Sequence, residues 1–364
     1  MLLIGNDDTA AVLRMPDVLD VLDLSYRGLA DGTTLCRPRI DLRFPTGTDA
    51  QAYQWGTMEG GSASSGYYAI RMKSDVLTEV EYGGTRTQEK FCVQPGTYFG
   101  MVLLLSIRTG EPLALLNDGV LQHMRVGADS AIGTRLAARE DARVLGMLGS
   151  GGMARTHLEA LLQVRPLERV QVYSPTPANR ERYAAEMGER YGLDVVAVDE
   201  PREVFRGADV VTGCTDSASE VIIGDWLEPG THVTSIGGKP DARARERYDV
   251  WLRLGTCPAP INDPTWQPDD EFLAYRAVPD SPVWAEHTHG RIRRPPHSVR
   301  QVTYADALGG EPVRTSPDQI TFSERGNIQG AQFFAVAGRV YELARERGLG
   351  REIPTEWLLQ DIRD

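Results

Sequence analysis

The hexapeptide Gly149-Ser-Gly151-Gly152-Met153-Ala154 follows directly on the short apolar run Arg143–Leu148 and opens an apolar-periodic stretch reaching to about Val164. In that setting Gly149 permits a tight strand-to-helix turn, Gly151 lets backbone approach a bound group, and Ala154 allows close helix–sheet packing. The helix start then offers free N–H groups and a partial positive charge, which suit a pyrophosphate. The chemistry indicated is dinucleotide binding, with Gly149, Gly151, Gly152, Met153 and Ala154 as candidates and Thr215 and Gly237 in later loops of the same unit. The end of the next strand reads Tyr173-Ser174-Pro175-Thr176, with Arg180 one helical turn on. A carboxylate is the usual partner of a ribose 2′-hydroxyl at this place. Two hydroxyls and a guanidinium suit a 2′-phosphate instead. The expectation is therefore NADP(H) over NAD(H), with Ser174, Thr176 and Arg180 as its residues. The competing reading is that Ser174 and Thr176 only cap the following helix.

Only three of the 39 basic residues are lysines: Lys73, Lys90 and Lys239. A guanidinium keeps its proton near neutral pH, whereas a desolvated, cation-crowded ammonium can release one. In so arginine-rich a chain, Lys73 stands out as a titratable amine. The expected role is to polarise or protonate substrate at the carbon that receives hydride. His287, His289 and His297 lie in a proline-rich stretch without a third ligand at helical spacing, so no metal site is expected.

The elements that must position these residues fall into two units. Residues 143 onward alternate strand and helix: Arg143–Leu148, Val170–Tyr173, Val195–Val198, Asp209–Thr212 and His232–Ile236 are strands. Helices follow the first two. This pattern implies a parallel, doubly wound Rossmann-type sheet. The first 125 residues read instead as α+β. They hold a helix near Pro16–Ala30, a strand over residues 66–73, and a hairpin of Met101–Arg108 with Leu113–Leu116 around Thr109-Gly110-Glu111-Pro112. The Gly-, Ser- and Thr-rich stretch 45–66 reads as loop. Residues 258–300 hold eight prolines from Pro258 to Pro296. That is long for a connection and reads as a flap or surface excursion. A long helix is expected over Ile328–Arg347.

Composition bounds the function. A chain of 364 residues suits two domains, and a net charge of −12 argues against sequence-independent nucleic-acid binding. No run approaches eighteen apolar residues, and the N-terminus lacks a basic signal-peptide region. Four scattered cysteines (Cys36, Cys92, Cys214, Cys257) with no CxxC indicate a reducing cytoplasm. No membrane partner is expected.

Arg125-Val-Gly-Ala-Asp-Ser-Ala-Ile-Gly, Gly149-Ser-Gly-Gly-Met-Ala, Gly230-Thr-His-Val-Thr-Ser-Ile-Gly and Ile320-Thr-Phe-Ser, in this order and with the Thr109–Ala114 hairpin, resemble the ornithine cyclodeaminase/mu-crystallin family. The resemblance runs from about residue 20 to 350, the proline-rich insert excepted. It implies a substrate-binding and dimerisation domain made of 1–125 and 320–364, around a nucleotide-binding domain of 126–319, in a homodimer. It also implies that Arg39 after Pro38 (Arg37 being the alternative), Lys73 and Arg125 take the substrate carboxylate. Converging guanidiniums and an ammonium would clamp and focus a small carboxylate. Two departures stand out. Lys239, in Gly237-Gly238-Lys239-Pro240, sits at or near the aspartate that the cyclodeaminases use for the substrate amine, and a cation there would repel an ammonium. Glu324 replaces a small polar residue; it either faces the pocket or pairs with Arg325 or another cation. The function expected is an NAD(P)-dependent oxidoreductase that transfers hydride to or from the α-carbon of an imino acid, or of an oxo acid plus amine. The alternatives are a cyclodeaminase using bound NAD catalytically and a non-catalytic NADPH-dependent binding protein.

Overall fold

A computed structural model describes every residue except 49, 83–84, 261–265, 267–271, 287–295 and 363–364. Pro16 in its first turn and the left-handed Gly32 just past its end delimit helix α1, Met15–Asp31. Its Val18, Leu19, Leu22 and Tyr26 form the buried stripe. Beyond it run strands β1 (Arg39–Pro45), β2 (Ala52–Ser62), β3 (Tyr67–Tyr82), β4 (Thr85–Phe91), β5 (Gly100–Ser106) and β6 (Pro112–Asn117). β1, β2, β3, β5 and β6 pair antiparallel in that order. The sixteen-residue β3 is longer than one partner: its first half pairs with β5, its second with β4. The projecting β3–β4 hairpin reaches the other lobe through a bridge from Thr87 to Ser217.

Helix α2 (Gly119–Ala137) leads into the second lobe. There follow β7 (Val144–Leu148), α3 (Gly152–Leu161), β8 (Arg169–Tyr173), α4 (Pro177–Tyr191), β9 (Asp194–Ala197), β10 (Val210–Gly213), β11 (His232–Ser235), β12 (Val250–Arg253), β13 (Phe272–Arg276), β14 (Arg300–Thr303) and β15 (Thr321–Glu324). Eight of these strands, among the described residues, form one parallel sheet in the order β9-β8-β7-β10-β11-β15-β12-β14. The expected Rossmann-type sheet is present. Helix α5 (Gln329–Glu346) then returns to the first lobe and packs on β2 and β3 through a surface buried on nearly all sides. Residues of both sheets and of α2 and α5, such as Leu104, Leu145, Val170, Ile132 and Phe333, belong to one continuous apolar core.

Three expectations need correction. The stretch 45–66 is not all loop: β2 occupies half of it, and the glycines of β2 are points of close approach rather than turns. A side chain on Gly56 would stand 2.7 Å from both Asp41 Oδ1 and Lys73 Cε. Residues 320–324 belong to the nucleotide-binding sheet, because β15 slots between β11 and β12 and Thr321 donates to the Ala137 carbonyl at 3.0 Å. The second lobe thus ends after β15, and α2 runs unbroken across the expected boundary at 125/126. The insert is not confined to the second lobe either, since β13 pairs in parallel with β1 at the edge of the first sheet. His287 and His289 lie outside the described residues, and His297 is exposed. Among the described residues no helix is long and apolar enough to cross a membrane.

Candidate active site

Strand period two puts Arg71, Lys73 and Asp75 on the buried face of β3, and all three are enclosed. Lys73 lies opposite Gly56 of β2 and Gly100 of β5, so its stem runs over two residues without side chains. Asp41 of β1 flanks Gly56 from the other side. Nζ of Lys73 donates to Asp75 Oδ2 at 2.7 Å, and Arg39 Nε donates to Asp41 Oδ1 at 2.7 Å. The Arg39 guanidinium also stands 5.0 Å from the centre of the Phe272 ring on β13. Arg71 donates from Nε to Asp118 Oδ2 at 2.6 Å and bonds the Tyr98 hydroxyl.

Arg125 enters this cluster from α2. It donates to Gln122 Oε1 at 2.8 Å and to Gln332 of α5. Gln332 in turn donates to Asp129 Oδ1 at 2.7 Å and to the Tyr26 hydroxyl at 2.6 Å. Arg125 and Arg71 share the Phe333 ring, at 4.7 and 5.4 Å from its centre. Among the described residues Arg125 Nε, Asp118 Oδ1 and Asp75 Oδ1 are buried without a hydrogen-bond partner. Such atoms are costly in an enclosed site and invite a polar ligand.

Electrostatics follow from enclosure. Burial, then the charges of Arg39 and Lys90, push the Lys73 ammonium well below the ordinary lysine range, against the pull of Asp75 and Asp41. For Asp41 burial works to raise the carboxyl, but its hydrogen bond to Arg39 and the charges of Arg39, Lys73 and Arg43 hold it below the usual value. Burial also opposes the charge on Arg71 and Arg125.

The nucleotide loop has the geometry its glycines suggest. Gly149 sits at φ +112° and donates to the Tyr173 carbonyl at 2.8 Å; a Cβ on it would lie 2.2 Å from the Cys214 carbonyl oxygen. Gly151 caps α3 with no side-chain hydrogen bond, and open space surrounds its Cα. The first N–H groups of α3 are thereby left for an anion. Ala154 is buried, and its carbonyl accepts from Tyr183 at 3.2 Å; Met153 is half-buried. Gly237 abuts Thr215 so closely that a Cβ would lie 2.0 Å from the Thr215 carbonyl oxygen. Gly149, Thr215 and Gly237 thus gather at the carboxyl ends of β7, β10 and β11, beside the reversal in strand order where open α/β sheets bind ligands.

Ser174 accepts from Ser150 at 2.9 Å, while Thr176 is exposed at the start of α4 without a side-chain capping bond. Capping therefore does not account for Thr176. Arg180 donates to the Ser174 carbonyl at 3.1 Å and to Asp199 at 2.6 Å. Asp199, two residues past the end of β9, brings a carboxylate that the stretch 173–176 lacks.

The fold brings Arg39, Lys73 and Arg125 together and keeps Lys239 apart, exposed on a short ladder opposite Glu220. Glu324 is held by Arg253 at 2.6 Å. Sequence reasoning missed Arg71, although the alternation Arg71-x-Lys73-x-Asp75 marks it. It also missed His123, whose Nδ1 lies 2.7 Å from the Gly119 carbonyl. Because that carbonyl can only accept, Nδ1 carries the proton and Nε2 faces Gly152, 2.9 Å from where a Cβ would be.

Two lobes of this topology define a nucleotide-binding α/β protein of the Rossmann class with a cation-lined sheet set against it. Solved structures agree in fold. The Delta(1)-pyrroline-2-carboxylate reductase of Thermococcus litoralis, in complex with NADH and L-proline, superposes with a TM-score of 0.74 at 20% identity, over 97% of this chain and 100% of that one. An archaeal alanine dehydrogenase dimer with bound NAD gives 0.73 at 20% identity, over 97% and 99%. Residues 74–249 match the model of the ornithine cyclodeaminase/mu-crystallin family. A Delta(1)-pyrroline-2-carboxylate reductase of Bacillus cereus is 33% identical over 237 residues, 65% of this chain and 68% of that protein. The chain spans 45% and 48% of the length of two other curated relatives that it matches. It belongs to the ornithine cyclodeaminase/mu-crystallin family.

Proposed function

We propose that this protein is a nicotinamide-dependent oxidoreductase acting on C–N bonds, with the α-carbon of an imino acid, or of an oxo acid plus amine, as the reacting centre. The observation that carries this reading is the path of α2. His123 stands against Gly152 of the nucleotide loop, and Arg125, two residues on, reaches into the cation cluster. One rigid helix thus sets the carboxylate receptor relative to the nucleotide, which favours transfer between two held partners. The reductase named among its relatives makes reduction of a carbon–nitrogen double bond the direction to test.

The nicotinamide supplies or accepts the hydride when bound. Arg39 and Arg125 hold the substrate carboxylate through charge-assisted bonds. Arg71 orients Arg125 through the shared Phe333 ring. Lys73 holds a proton at Nζ for the imine nitrogen, so that one hydride to carbon and one proton to nitrogen yield the amine. Lys239 stands outside this set.

NADP(H) is the proposed cofactor over NAD(H). The free hydroxyl of Thr176 and the guanidinium of Arg180 favour a 2′-phosphate, against the opposing charge of Asp199. Loss of absorbance at 340 nm, followed with NADPH and with NADH against cyclic imino acids and oxo acids plus ammonia or methylamine, tests both statements. Substrate-dependent oxidation, with the lower KM for NADPH, is expected. A flat trace with tightly retained nucleotide would replace the reductase with a cyclodeaminase-type cycle, and a lower KM for NADH would reverse the cofactor preference.

A homodimer in the cytoplasm is part of the same proposal. The outer face of the first sheet exposes Leu35, Leu42, Phe44 and Tyr275 around a cavity of about 820 Å³ that is lined by Ile40, Tyr68 and Leu273. An apolar surface of this kind marks an interface. Light scattering on the purified chain is expected to give twice 40.1 kDa. A monomer at micromolar concentration would remove this part.

A further inference from the structure

Lys90 of β4 lies directly opposite Leu77 of β3, and Leu77 shares the buried face of β3 with Arg71, Lys73 and Asp75. Paired residues point to the same side of a sheet, so Lys90 stands on the face that carries the candidate site. The row is closed at its other end, where Ala52, also opposite Leu77, packs against Val283 and Trp284 of the insert. Lys90 is accessible to solvent, yet desolvation and the charge of Arg39 hold its ammonium below the ordinary lysine range. Its place beside Leu77 puts it at the exposed edge of the cleft whose enclosed residues are Arg71, Lys73 and Asp75. Among the described residues its side chain makes no hydrogen bond and no ion pair.

Charge in this cleft is out of balance. Asp41 meets Arg39 and, at 3.5 Å, Arg43; Asp75 meets Lys73; Asp118 meets Arg71. Those three carboxylates and Asp129, whose charge acts on Arg125, stand against six cations: the four just named, Arg125, which donates only to amide oxygens, and Lys90. A monocarboxylate leaves part of that surplus uncompensated in an enclosed site, which is unfavourable. Elsewhere the chain is strongly acidic, and two of its three lysines are placed here.

We infer that the substrate carries a second acidic group, received by Lys90, so that the preferred class is an α-imino or α-oxo dicarboxylic acid. This deepens the proposed reductase function and rests on it for the reaction, though not for the binding. The α-carboxylate occupies Arg39 and Arg125, and the distal carboxylate reaches along β3 to Lys90.

Isothermal titration of the full chain, saturated with nucleotide, against unreactive acids of equal length tests the binding: glutarate against valerate, and succinate against butyrate. The diacid is expected to bind at least tenfold more tightly. Lys90→Met should bring the ratio to within about twofold, and Lys90→Arg should restore most of it. Equal affinity in the unsubstituted chain, no measurable binding of either acid, or a ratio unmoved by Lys90→Met would each overturn the inference. Turnover of 2-oxoglutarate and 2-oxovalerate with ammonia is measured alongside. Selective diacid binding without turnover of either acid would leave Lys90 as the receptor and remove the reductase reading. Turnover without diacid preference would do the reverse.

Discussion

Lys73→Met is expected to lower kcat by about 10²- to 10⁴-fold, the range for loss of a positioned proton donor, with nucleotide affinity little changed. Lys73→Arg should fare almost as badly. It keeps the charge, but a guanidinium does not part with its proton near neutral pH. The pH profile separates a proton donor from a mere carboxylate anchor. The Lys73 ammonium is held below the ordinary range by burial and by the charges of Arg39 and Lys90. Only the protonated form can donate, so kcat for reduction is flat on the acid side of the displaced pKa and falls as pH rises through it. That alkaline limb should lie well below the one a solvent-exposed lysine would give. Steady-state kinetics across pH, with nucleotide titration as control, supply the measurement; full turnover by Lys73→Arg would end the donor role.

Gly149→Ala should abolish nucleotide binding and destabilise the fold together. At φ +112° a side chain is strained whatever the space, by about 1–3 kcal/mol. Here the Cβ would also stand 2.2 Å from a backbone carbonyl oxygen that cannot swing aside. A marked drop in melting temperature, with at least a hundredfold loss of nucleotide affinity, is the expected result. Gly151→Ala is the informative companion, since its φ of −80° is ordinary and nothing lies within 4 Å of the added methyl. It should melt nearly like the unsubstituted chain and still bind nucleotide poorly, because the space it fills is the space meant for phosphate. Thermal melts and fluorescence titration of both variants decide the matter. Tight nucleotide binding by Gly151→Ala would displace the pyrophosphate from this loop.

What was legible in the sequence depended on how local its cause was. The strand–glycine–helix succession at 143–164 and the helix of 328–347 follow from contiguous patterns, and the fold keeps both. The loop expected at 45–66 failed over Ala52–Ser62 because glycine was read as a turn signal. At Gly56 the reason for glycine lies in two other strands, whose Asp41 and Lys73 close on it from either side, and no local pattern records that. The resemblance placed residues from 320 on in the first domain, but only pairing decides which sheet Thr321–Glu324 joins. Asp199 reaches Arg180 from just beyond β9 by a contact that spacing cannot show. Arg71 was within reach, two residues before Lys73 on an alternating strand. Lys90 became meaningful only once the register of β3 and β4 was known.

The passage of α2 through both lobes has a consequence for descent. Its Ile132 and Ala128 share one core with residues of both sheets, and Thr321 and Ser323 of β15 dock on its far end. A cut at the expected boundary of 125/126 would sever this helix and open that core on both sides. The nucleotide-binding half is therefore not a cassette that recombination could lift out and join to a new partner. Diversity in such a scaffold has to arise by substitution and by lengthening of peripheral hairpins such as the β3–β4 arm.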